Sequence, residues 1–259
     1  MKLRISDRMS KPAFQGEFTS AILKAAASPD VISFAGGLPN PDSFPVKEME
    51  AAVTKVLERD GVRALPDSNT EGYMPLRQVI SASNKKQGVD FAPENIIITN
   101  GSQQALDMVA ATLINPGDTV AVEKPSYLAA LQTFHLYDPK IVSVSLNDDG
   151  IDCDELEKIL KENDPKFIYV IPNFQNPTGG TMSLEKRRAV YDLCLRHHVV
   201  ILEDNPYGDL RFAGENVPAI KTLDTEGSVS YCGTFSKIIS PGLRVGYAIA
   251  PAGLVGKMV

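Results

Sequence analysis

Short runs of apolar, mostly β-branched residues recur along the chain from residue 95 onward, and longer stretches with helical periodicity separate most of them. Seven runs are present: Ile96–Thr99, Val120–Val122, Ile141–Val144, Phe167–Ile171, Val199–Glu203, Val229–Cys232 and Val245–Ala250. The runs do not alternate between apolar and polar positions, which is typical of strands buried on both faces. The pattern predicts an α/β fold in which a mostly parallel seven-stranded sheet lies between two layers of helices.

Helical periodicity is clearest at Gln103–Leu113 and Leu184–His197. Nearer the N-terminus it predicts a helix from about Val46 to Arg59, another that starts near Met74, and an amphipathic stretch at residues 18–27. The apolar face of the first of these helices would consist of Met49, Val53, Val56 and Leu57. The last two strand-like runs are separated by only about a dozen residues, into which a helical crossover barely fits, so one of them could be antiparallel.

Composition mainly excludes classes of protein. The 259 residues are 43% hydrophobic and 22% charged, and the net charge of −6 gives no bulk attraction to nucleic acid or to an anionic membrane. No apolar run approaches the roughly 18 residues that a membrane span needs, and no secretory signal is visible. Three widely spaced cysteines suggest free thiols in a reducing compartment. We therefore expect a cytoplasmic protein that contacts neither nucleic acid nor membrane and holds no metal.

Polar residues follow four of the predicted strands. In an open sheet, ligands bind beyond the carboxyl ends of the strands, and parallel strands bring those ends to one edge. The residues concerned are Gly101, Ser102 and Gln103 after the first strand, Asn173–Thr178 after the fourth, Asp204 and Tyr207 after the fifth, and Thr234–Lys237 after the sixth. We expect these residues to converge on one site.

Lys237 is the candidate covalent residue, because a lysine with a depressed pKa can form a Schiff base with an aldehyde cofactor. Arg244 could supply positive charge nearby and a bidentate phosphate clamp. Asp204 follows an apolar strand, and a buried carboxylate needs a partner, for which a pyridinium N–H is suitable. The alternatives are an ordinary surface lysine at position 237 and a helix N-cap or an ion pair at position 204.

The remaining candidates each have a structural alternative as well. Asn176 and Tyr207 can donate hydrogen bonds to a phenolate oxygen, although Asn176 also lies in a sequence suited to a plain turn. Ser102 stands where a helix start could bind phosphate, and it is equally a good N-cap. Tyr127 could stack on an aromatic ring or could belong to the core.

Four motifs in this order and at these intervals carry a family resemblance: NFQNPTG, EDNPYGDL, TFSK and PGLRVG. They resemble the fold-type I pyridoxal-phosphate enzymes of the class I/II aminotransferase family, and the resemblance covers nearly the whole chain. FAGGLPNPDSFP and TEGYMPLR look like the subgroup of 2-aminoadipate, aromatic and branched-chain aminotransferases. The resemblance implies a large pyridoxal-phosphate domain at 48–259, an N-terminal arm with part of a small domain at 1–47, and a homodimer with sites at the subunit interface.

The resemblance also implies roles for individual residues. Lys237 would hold the cofactor as an internal aldimine and move the proton of the 1,3-shift, and Asp204 would bind the pyridine nitrogen. Asn176 and Tyr207 would contact the ring hydroxyl, and Tyr207 would share in catalysis. The phosphate would be held by Ser102, Gln103, Thr234, Ser236 and Arg244. Tyr127 would stack on the ring, and Gly37 and Asn176 would lie beside the substrate.

Two departures from the family pattern bear on these expectations. Relatives of this type continue for well over a hundred residues past PGLRVG, with the rest of the small domain and an arginine that grips the substrate's α-carboxylate. We therefore expect that this chain is a fragment or a truncated product. Relatives usually also carry a tyrosine shortly before the TEG turn. Asp67 lies in that neighbourhood here, where its charge would repel the cofactor phosphate.

The leading hypothesis is a transaminase that transfers an amino group between an L-amino acid and a 2-oxo acid through the Lys237 Schiff base. A pyridoxal-phosphate lyase or decarboxylase on the same scaffold is one alternative. Others are a catalytically inactive remnant and the effector-sensing domain of a bacterial transcription regulator. The acidic composition and the lack of a winged-helix segment before the body argue against the regulator.

Overall fold

The computed structural model describes residues 3–10, 21, 24–25, 28, 30–33 and 37–259. The chain divides into two compact units, Met1–Pro66 and Asp67–Val259. The amphipathic stretch predicted at 18–27 lies largely outside the described residues. The predicted domain bounds, 1–47 and 48–259, stay a prediction.

The first unit contains two described helices, α1 (Asp7–Ser10) and α2 (Val46–Ala64), and a 3₁₀ turn at Pro41–Ser43. Helix α2 extends five residues past the predicted end at Arg59, because the single Gly61 in its last turns costs only about 1 kcal/mol and the next proline, Pro66, comes after the helix has ended. The predicted apolar stripe is present on α2, but none of the helix residues is buried by the described parts of the chain.

The second unit carries the remaining six described helices. They are α3 (Met74–Lys86), α4 (Ser102–Leu113), α5 (Leu128–His135), α6 (Cys153–Asn163), α7 (Leu184–Arg196) and α8 (Ala252–Met258), with 3₁₀ turns at Pro93–Asn95, Ile220–Leu223 and Pro241–Leu243. The helix expected near Met74 and those expected after residues 102 and 183 are confirmed.

The sheet contains eight strands in the order β1-β8-β7-β6-β5-β2-β3-β4. Their bounds are β1 (Ile96–Thr99), β2 (Thr119–Lys124), β3 (Lys140–Asn147), β4 (Gly150–Ile151), β5 (Phe167–Val170), β6 (Val200–Asp204), β7 (Val229–Thr234) and β8 (Gly246–Ile249). All seven predicted strands are present. The predicted number is wrong by one, because β4 has only two residues and shows no pattern in the sequence.

The sheet is mostly parallel, as predicted, with two antiparallel exceptions. Strand β4 pairs antiparallel with β3 at the edge, and β8 runs antiparallel to both β7 and β1. One of the last two strands is therefore reversed, as the short connection before it suggested. Since β8 opposes both of its neighbours, β1 and β7 run in the same direction, and the expected convergence of strand ends is confirmed.

Two apolar clusters cover the opposite faces of the sheet, which confirms the three-layer arrangement. Helices α6 and α7 pack on one face against side chains such as Ile168 and Ile201. Helices α4 and α5 pack on the other face against Phe167 and Leu202. Neighbouring residues of one strand thus enter different clusters, and this accounts for the unbroken apolar runs in the sequence. The three cysteines are free thiols, as expected.

Candidate functional site

Asp204 is the last residue of β6, and its side chain is buried at the edge where the parallel strands end. The Tyr169 hydroxyl donates to its Oδ2 at 2.8 Å, whereas no described donor reaches its Oδ1. Burial raises the pKa of Asp204 to about 7, and the hydrogen bond from Tyr169 partly opposes that rise. Because a buried polar atom without a partner is costly, the open Oδ1 is suited to accept a hydrogen bond from a bound ligand.

The structure supports neither of the two alternatives for Asp204, a helix N-cap and an ion pair. No helix starts at this residue, since the chain continues as a turn after β6. No ion pair of Asp204 is found in the part of the chain that the structure describes. Tyr169 is not among the residues that the sequence predicts for the site. The sequence feature that could have identified it is a tyrosine within a fully buried strand, because a buried hydroxyl needs a hydrogen-bond partner.

Lys237 lies half-buried in the turn after β7, and burial lowers the pKa of its amine. Its Nζ is 5.9 Å from the centre of the Tyr207 ring. The Asn176 amide donates to the Tyr207 hydroxyl at 3.4 Å. The structure therefore brings together the amine, the phenol and the amide that the sequence predicts for one site, and the lowered pKa favours the neutral, nucleophilic amine.

Tyr127 immediately precedes α5 and lies close to the same group of residues. Burial raises the pKa of its hydroxyl, and the nearby charges of Asp204 and Tyr207 raise it further, while Arg244 lowers it. The side chain also packs against the apolar cluster under α4 and α5. Tyr127 thus packs against the core and lies near the other predicted site residues, while its stacking on a ring stays a prediction.

The turn between β1 and α4 closely approaches the Arg244 side chain. Gly101 has a φ of 75°, and a Cβ at this position would collide with the Arg244 guanidinium. Arg244 donates from Nη2 to the Asn100 carbonyl at 3.0 Å and from Nη1 to the Pro241 carbonyl at 3.3 Å. The guanidinium is therefore held at the N-terminus of the 12-residue helix α4, whose first N–H groups favour anions.

Ser102 is the first residue of α4, and the N-cap is Gly101, so the N-cap alternative for Ser102 is wrong. Gly101 has no side chain to cap the helix, and the Arg244 guanidinium occupies the space beside it. Gln103 follows in the helix, but its side-chain amide donates to the Ala129 carbonyl at 3.1 Å and to the Thr133 hydroxyl at 2.5 Å. That amide joins α4 to α5, which leaves the backbone N–H of Gln103 for an anion.

Two hydroxyl groups flank the turn that carries Lys237. The Thr234 hydroxyl donates to Ser236 Oγ at 2.9 Å, and the Ser236 N–H donates back to Thr234 Oγ1 at 3.1 Å. The start of β8 is close by, because Gly246 pairs with both Thr99 and Thr234 across the sheet. Hydroxyls, helix N-terminus and guanidinium thus lie at the same sheet edge and could together hold a phosphate.

A buried network fixes the loop that follows β5. Arg187 has no exposed surface, and it donates to the Pro172 carbonyl at 2.8 Å and to Asn173 Oδ1 at 2.7 Å. Asn173 in turn donates to Asn205 Oδ1 at 2.9 Å, and Asn205 donates to the Tyr231 hydroxyl at 2.7 Å. These bonds connect the residues that follow β5 and β6 to Tyr231 in β7.

Glu123 and Gln175 are two further buried polar residues. Gln175 lies within the predicted segment at residues 173–178, whereas the sequence does not predict Glu123 for the site. Burial raises the pKa of Glu123 to about 7, and its Oε2 accepts hydrogen bonds from the Ile171 N–H and the Gln175 amide, both at 3.1 Å. A cavity of ≈ 310 Å³ borders both side chains. The sequence feature that could have identified Glu123 is the same one that identified Asp204, namely an acidic residue near the end of a buried strand.

Gly37 belongs to the first unit, where it has a φ of 54°, and its position beside a substrate stays a prediction. Asp67 is exposed, and its effect on a phosphate is also untested. In the described part of the chain, His, Cys, Asp and Glu side chains form no group of three that could hold a metal ion. None of the described helices is both long and apolar enough to span a membrane.

Known proteins with similar sequences share most of this chain. The sequence profile of the family "Aminotransferase class I and II" matches residues 31–259. An aromatic-amino-acid aminotransferase of Thermococcus litoralis is 43% identical over 243 residues, which are 92% of this chain and 58% of that protein. A 2-aminoadipate transaminase of Thermus thermophilus is 40% identical over 241 residues, 92% of this chain and 59% of that protein.

A solved structure agrees with the sequence comparison. The kynurenine aminotransferase of Pyrococcus horikoshii, crystallised in complex with PMP, has a TM-score of 0.91 and 39% identity, over 98% of this chain and 64% of that one. The chain thus spans about three fifths of the length of the relatives it matches.

Proposed function

The chain belongs to the class I and II aminotransferase family, and from this premise we propose that the full protein is an amino-acid transaminase that uses pyridoxal 5′-phosphate. The observation that carries the proposal is the pairing of a buried carboxyl group that has an open oxygen, Asp204, with the half-buried, pKa-lowered amine of Lys237. The first is suited to a pyridine N–H, and the second to an aldehyde.

The residues at the site fit the cofactor group by group. Lys237 would hold it covalently, and Asp204 would accept a hydrogen bond from the ring nitrogen through Oδ1. Asn176 and Tyr207, which already share a hydrogen bond, would contact the ring hydroxyl, and Tyr127 would cover the ring. The phosphate would lie against the start of α4, with contacts from Ser102, Gln103, Thr234, Ser236 and Arg244.

When bound, the protonated ring acts as an electron sink for the substrate. The chain's own residues would do the rest. The Asp204 carboxylate would keep the ring nitrogen protonated, and the neutral Lys237 amine would accept a proton from the substrate Cα at its Nζ. Because the carboxyl group of Asp204 is buried, its charge acts on the ring with little screening by water.

The substrates would be an L-amino acid and a 2-oxo acid, with Gly37 and Asn176 beside them. The relatives named as aromatic and 2-aminoadipate aminotransferases support testing donors with large or acidic side chains first. We also propose that the protein is a homodimer, since the family resemblance implies sites completed at a subunit interface. We further propose that it is cytoplasmic, as its composition and free cysteines suggest. Residues 1–47 would belong to the small domain and residues 48–259 to the cofactor domain.

A half-reaction experiment tests the proposal. We expect the full-length protein to become coloured with pyridoxal phosphate, and an L-amino acid to bleach this colour while an equal amount of the matching 2-oxo acid forms. Release of carbon dioxide or ammonia instead of the 2-oxo acid would indicate a decarboxylase or lyase. A spectral change without product would indicate a sensor domain. A protein that stays colourless would overturn the proposal.

Replacement of Gly101 by alanine tests the phosphate side of the site. The added Cβ would meet the Arg244 guanidinium and displace it from α4, so we expect affinity for pyridoxal phosphate to fall on the order of tenfold or more. Affinity for pyridoxal, which lacks the phosphate, should change less. Gly117→Ala is the matched control, because Gly117 also has a positive φ, of 86°, but faces open space. Equal losses in the two variants would contradict the role of Arg244.

A further inference from the structure

Two loops carry the residues proposed to hold the cofactor ring, and one side chain joins them. Tyr127 lies in the loop after β2, and Asn176 lies in the loop after β5. Gln175, next to Asn176, donates from its amide to the Pro125 carbonyl at 2.9 Å. A backbone carbonyl two residues from Tyr127 is thus bonded to the residue adjacent to Asn176.

Gln175 is held within its own loop as well. Its Oε1 accepts a hydrogen bond from the Thr178 N–H at 2.9 Å. Its backbone N–H donates to the Gly180 carbonyl at 2.7 Å, and its carbonyl accepts from the Gly179 N–H at 2.6 Å. Since both ends of the amide and both backbone groups are bonded, the orientation of Gln175 determines the shape of the loop that presents Asn176.

Glu123 fixes the amide of Gln175 from the side of β2. Its Oε2 accepts from the Gln175 amide and from the N–H of Ile171, the residue just past the end of β5. One carboxylate oxygen of Glu123, near the end of β2, therefore binds both the Gln175 side chain and the backbone just past the end of β5. Burial raises the pKa of this carboxyl group to about 7, and the hydrogen bonds from Gln175 and Ile171 partly oppose that rise.

The two side chains are almost fully buried, but part of their surroundings is open space. A cavity of ≈ 310 Å³ borders both Glu123 and Gln175, and it is lined further by residues of the β3–β4 turn such as Asn147 and Asp148. A side chain that borders an open space lacks packing contacts on that side, so its hydrogen bonds contribute more to fixing its position. The cavity thus makes the geometry of the two loops sensitive to the loss of either partner.

We propose that Glu123 and Gln175 are a positioning pair that sets the separation of Tyr127 and Asn176, and thereby the fit of these two residues to the cofactor ring. The inference rests on the proposed function. Neither residue touches the reacting atoms, and both act through the residues that they orient. No step of the reaction passes through the Glu123 carboxyl group.

The test uses the full-length protein with Glu123→Ala, Gln175→Ala and the double variant. We expect each single variant to bind pyridoxal phosphate about tenfold more weakly, as the loss of a buried hydrogen bond implies. The double variant should be no weaker than the worse single variant, because the pair acts as a unit. Glu123→Gln should retain affinity close to wild type, because the amide oxygen can still accept both hydrogen bonds.

A second measurement separates positioning from a general loss of structure. The pH at which the visible absorbance of the bound cofactor titrates should shift in the two alanine variants, because Asn176 would lose its alignment with the ring hydroxyl. Glu203→Ala is the matched control. Glu203 is an equally buried acid that accepts from the Ile220 and Lys221 N–H groups, and it has no contact with Gln175. This variant should lower the thermal stability of the apo-protein while leaving that pH unchanged.

The outcomes distinguish this inference from the proposed function. If the wild type binds the cofactor and transaminates, but the Glu123 and Gln175 variants change affinity and titration no more than Glu203→Ala does, the positioning pair is wrong and the function stands. Additive losses in the double variant would also overturn the pair. A wild type that binds no pyridoxal phosphate would overturn both.

Discussion

Replacing Lys237 with alanine is expected to abolish covalent attachment of the cofactor and to lower kcat/KM for transamination on the order of 10⁴-fold or more. The reason is that Lys237 has two roles in the proposed reaction, attachment of the aldehyde and transfer of the proton from the substrate Cα. Its half-buried position and lowered pKa make its amine the suitable nucleophile at this sheet edge.

Borohydride reduction followed by peptide mass analysis measures the attachment directly. In the wild type, the reduced cofactor should remain on the peptide that contains Lys237. In Lys237→Ala it should wash away, although the variant should still bind pyridoxal phosphate non-covalently through Asp204 and the start of α4. Lys85→Ala is the control, because Lys85 is an exposed lysine in a surface ion pair with Asp90. Label retained on a different lysine in Lys237→Ala would refute the assignment.

The sequence predicts those parts of the fold that follow from local pattern. The unbroken apolar runs indicated strands buried on both faces, and the structure explains them by neighbours such as Phe167 and Ile168, which enter opposite clusters. The two-residue strand β4 is too short to show such a pattern, and its place depends on tertiary contacts, namely pairing with the end of β3 and burial of Ile151 in the apolar cluster. The extension of α2 past Arg59 likewise depends on the weak effect of one glycine.

Within the site, residues at strand ends could be identified because strand direction alone brings them together. The hydrogen-bond partners of these residues could not be identified from the sequence, because a bond such as that from Tyr169 to Asp204 joins positions 35 residues apart. The same limit applies to Ser102, where the sequence suggests an N-cap. The space that such a cap needs is occupied by Arg244, which is more than a hundred residues away along the chain. Which of two plausible roles a residue has is thus decided by tertiary contacts.

Asp204 illustrates how function and stability oppose each other in this fold. Its pKa in the folded chain, about 7, lies above the ordinary value of 3.8, so the folded chain holds the proton more tightly than the unfolded chain. Between these two values, unfolding releases a proton, and the free energy of unfolding of the apo-protein falls as the pH rises. The stabilising contribution is complete below about pH 4 and is lost above about pH 7. Each pKa unit corresponds to about 1.4 kcal/mol.

Asp204→Asn is therefore expected to have opposite effects on activity and on apo-protein stability. The amide cannot hold a positive charge on the ring nitrogen, so we expect kcat/KM to fall on the order of 10³-fold or more. Its oxygen can still accept from Tyr169, and the buried charge is gone, so at pH 8 the Tm of the apo-protein should rise by a few degrees and at pH 4 it should not. Thermal unfolding at the two pH values and steady-state rates measure both effects.

Tyr169→Phe is the matched control, because it removes the hydrogen bond to Asp204 and keeps the ring and the carboxylate. It should lower activity much less than Asp204→Asn, about tenfold. It should also lower apo-protein stability at pH 8, since the ionised carboxylate then has no described donor at either oxygen. If Asp204→Asn kept a near-normal rate, the ring nitrogen would have a different partner. The change in apo-protein Tm caused by Asp204→Asn is the second criterion. If this change were more negative at pH 8 than at pH 4, the Asp204 carboxyl group would not be the buried group that opposes folding.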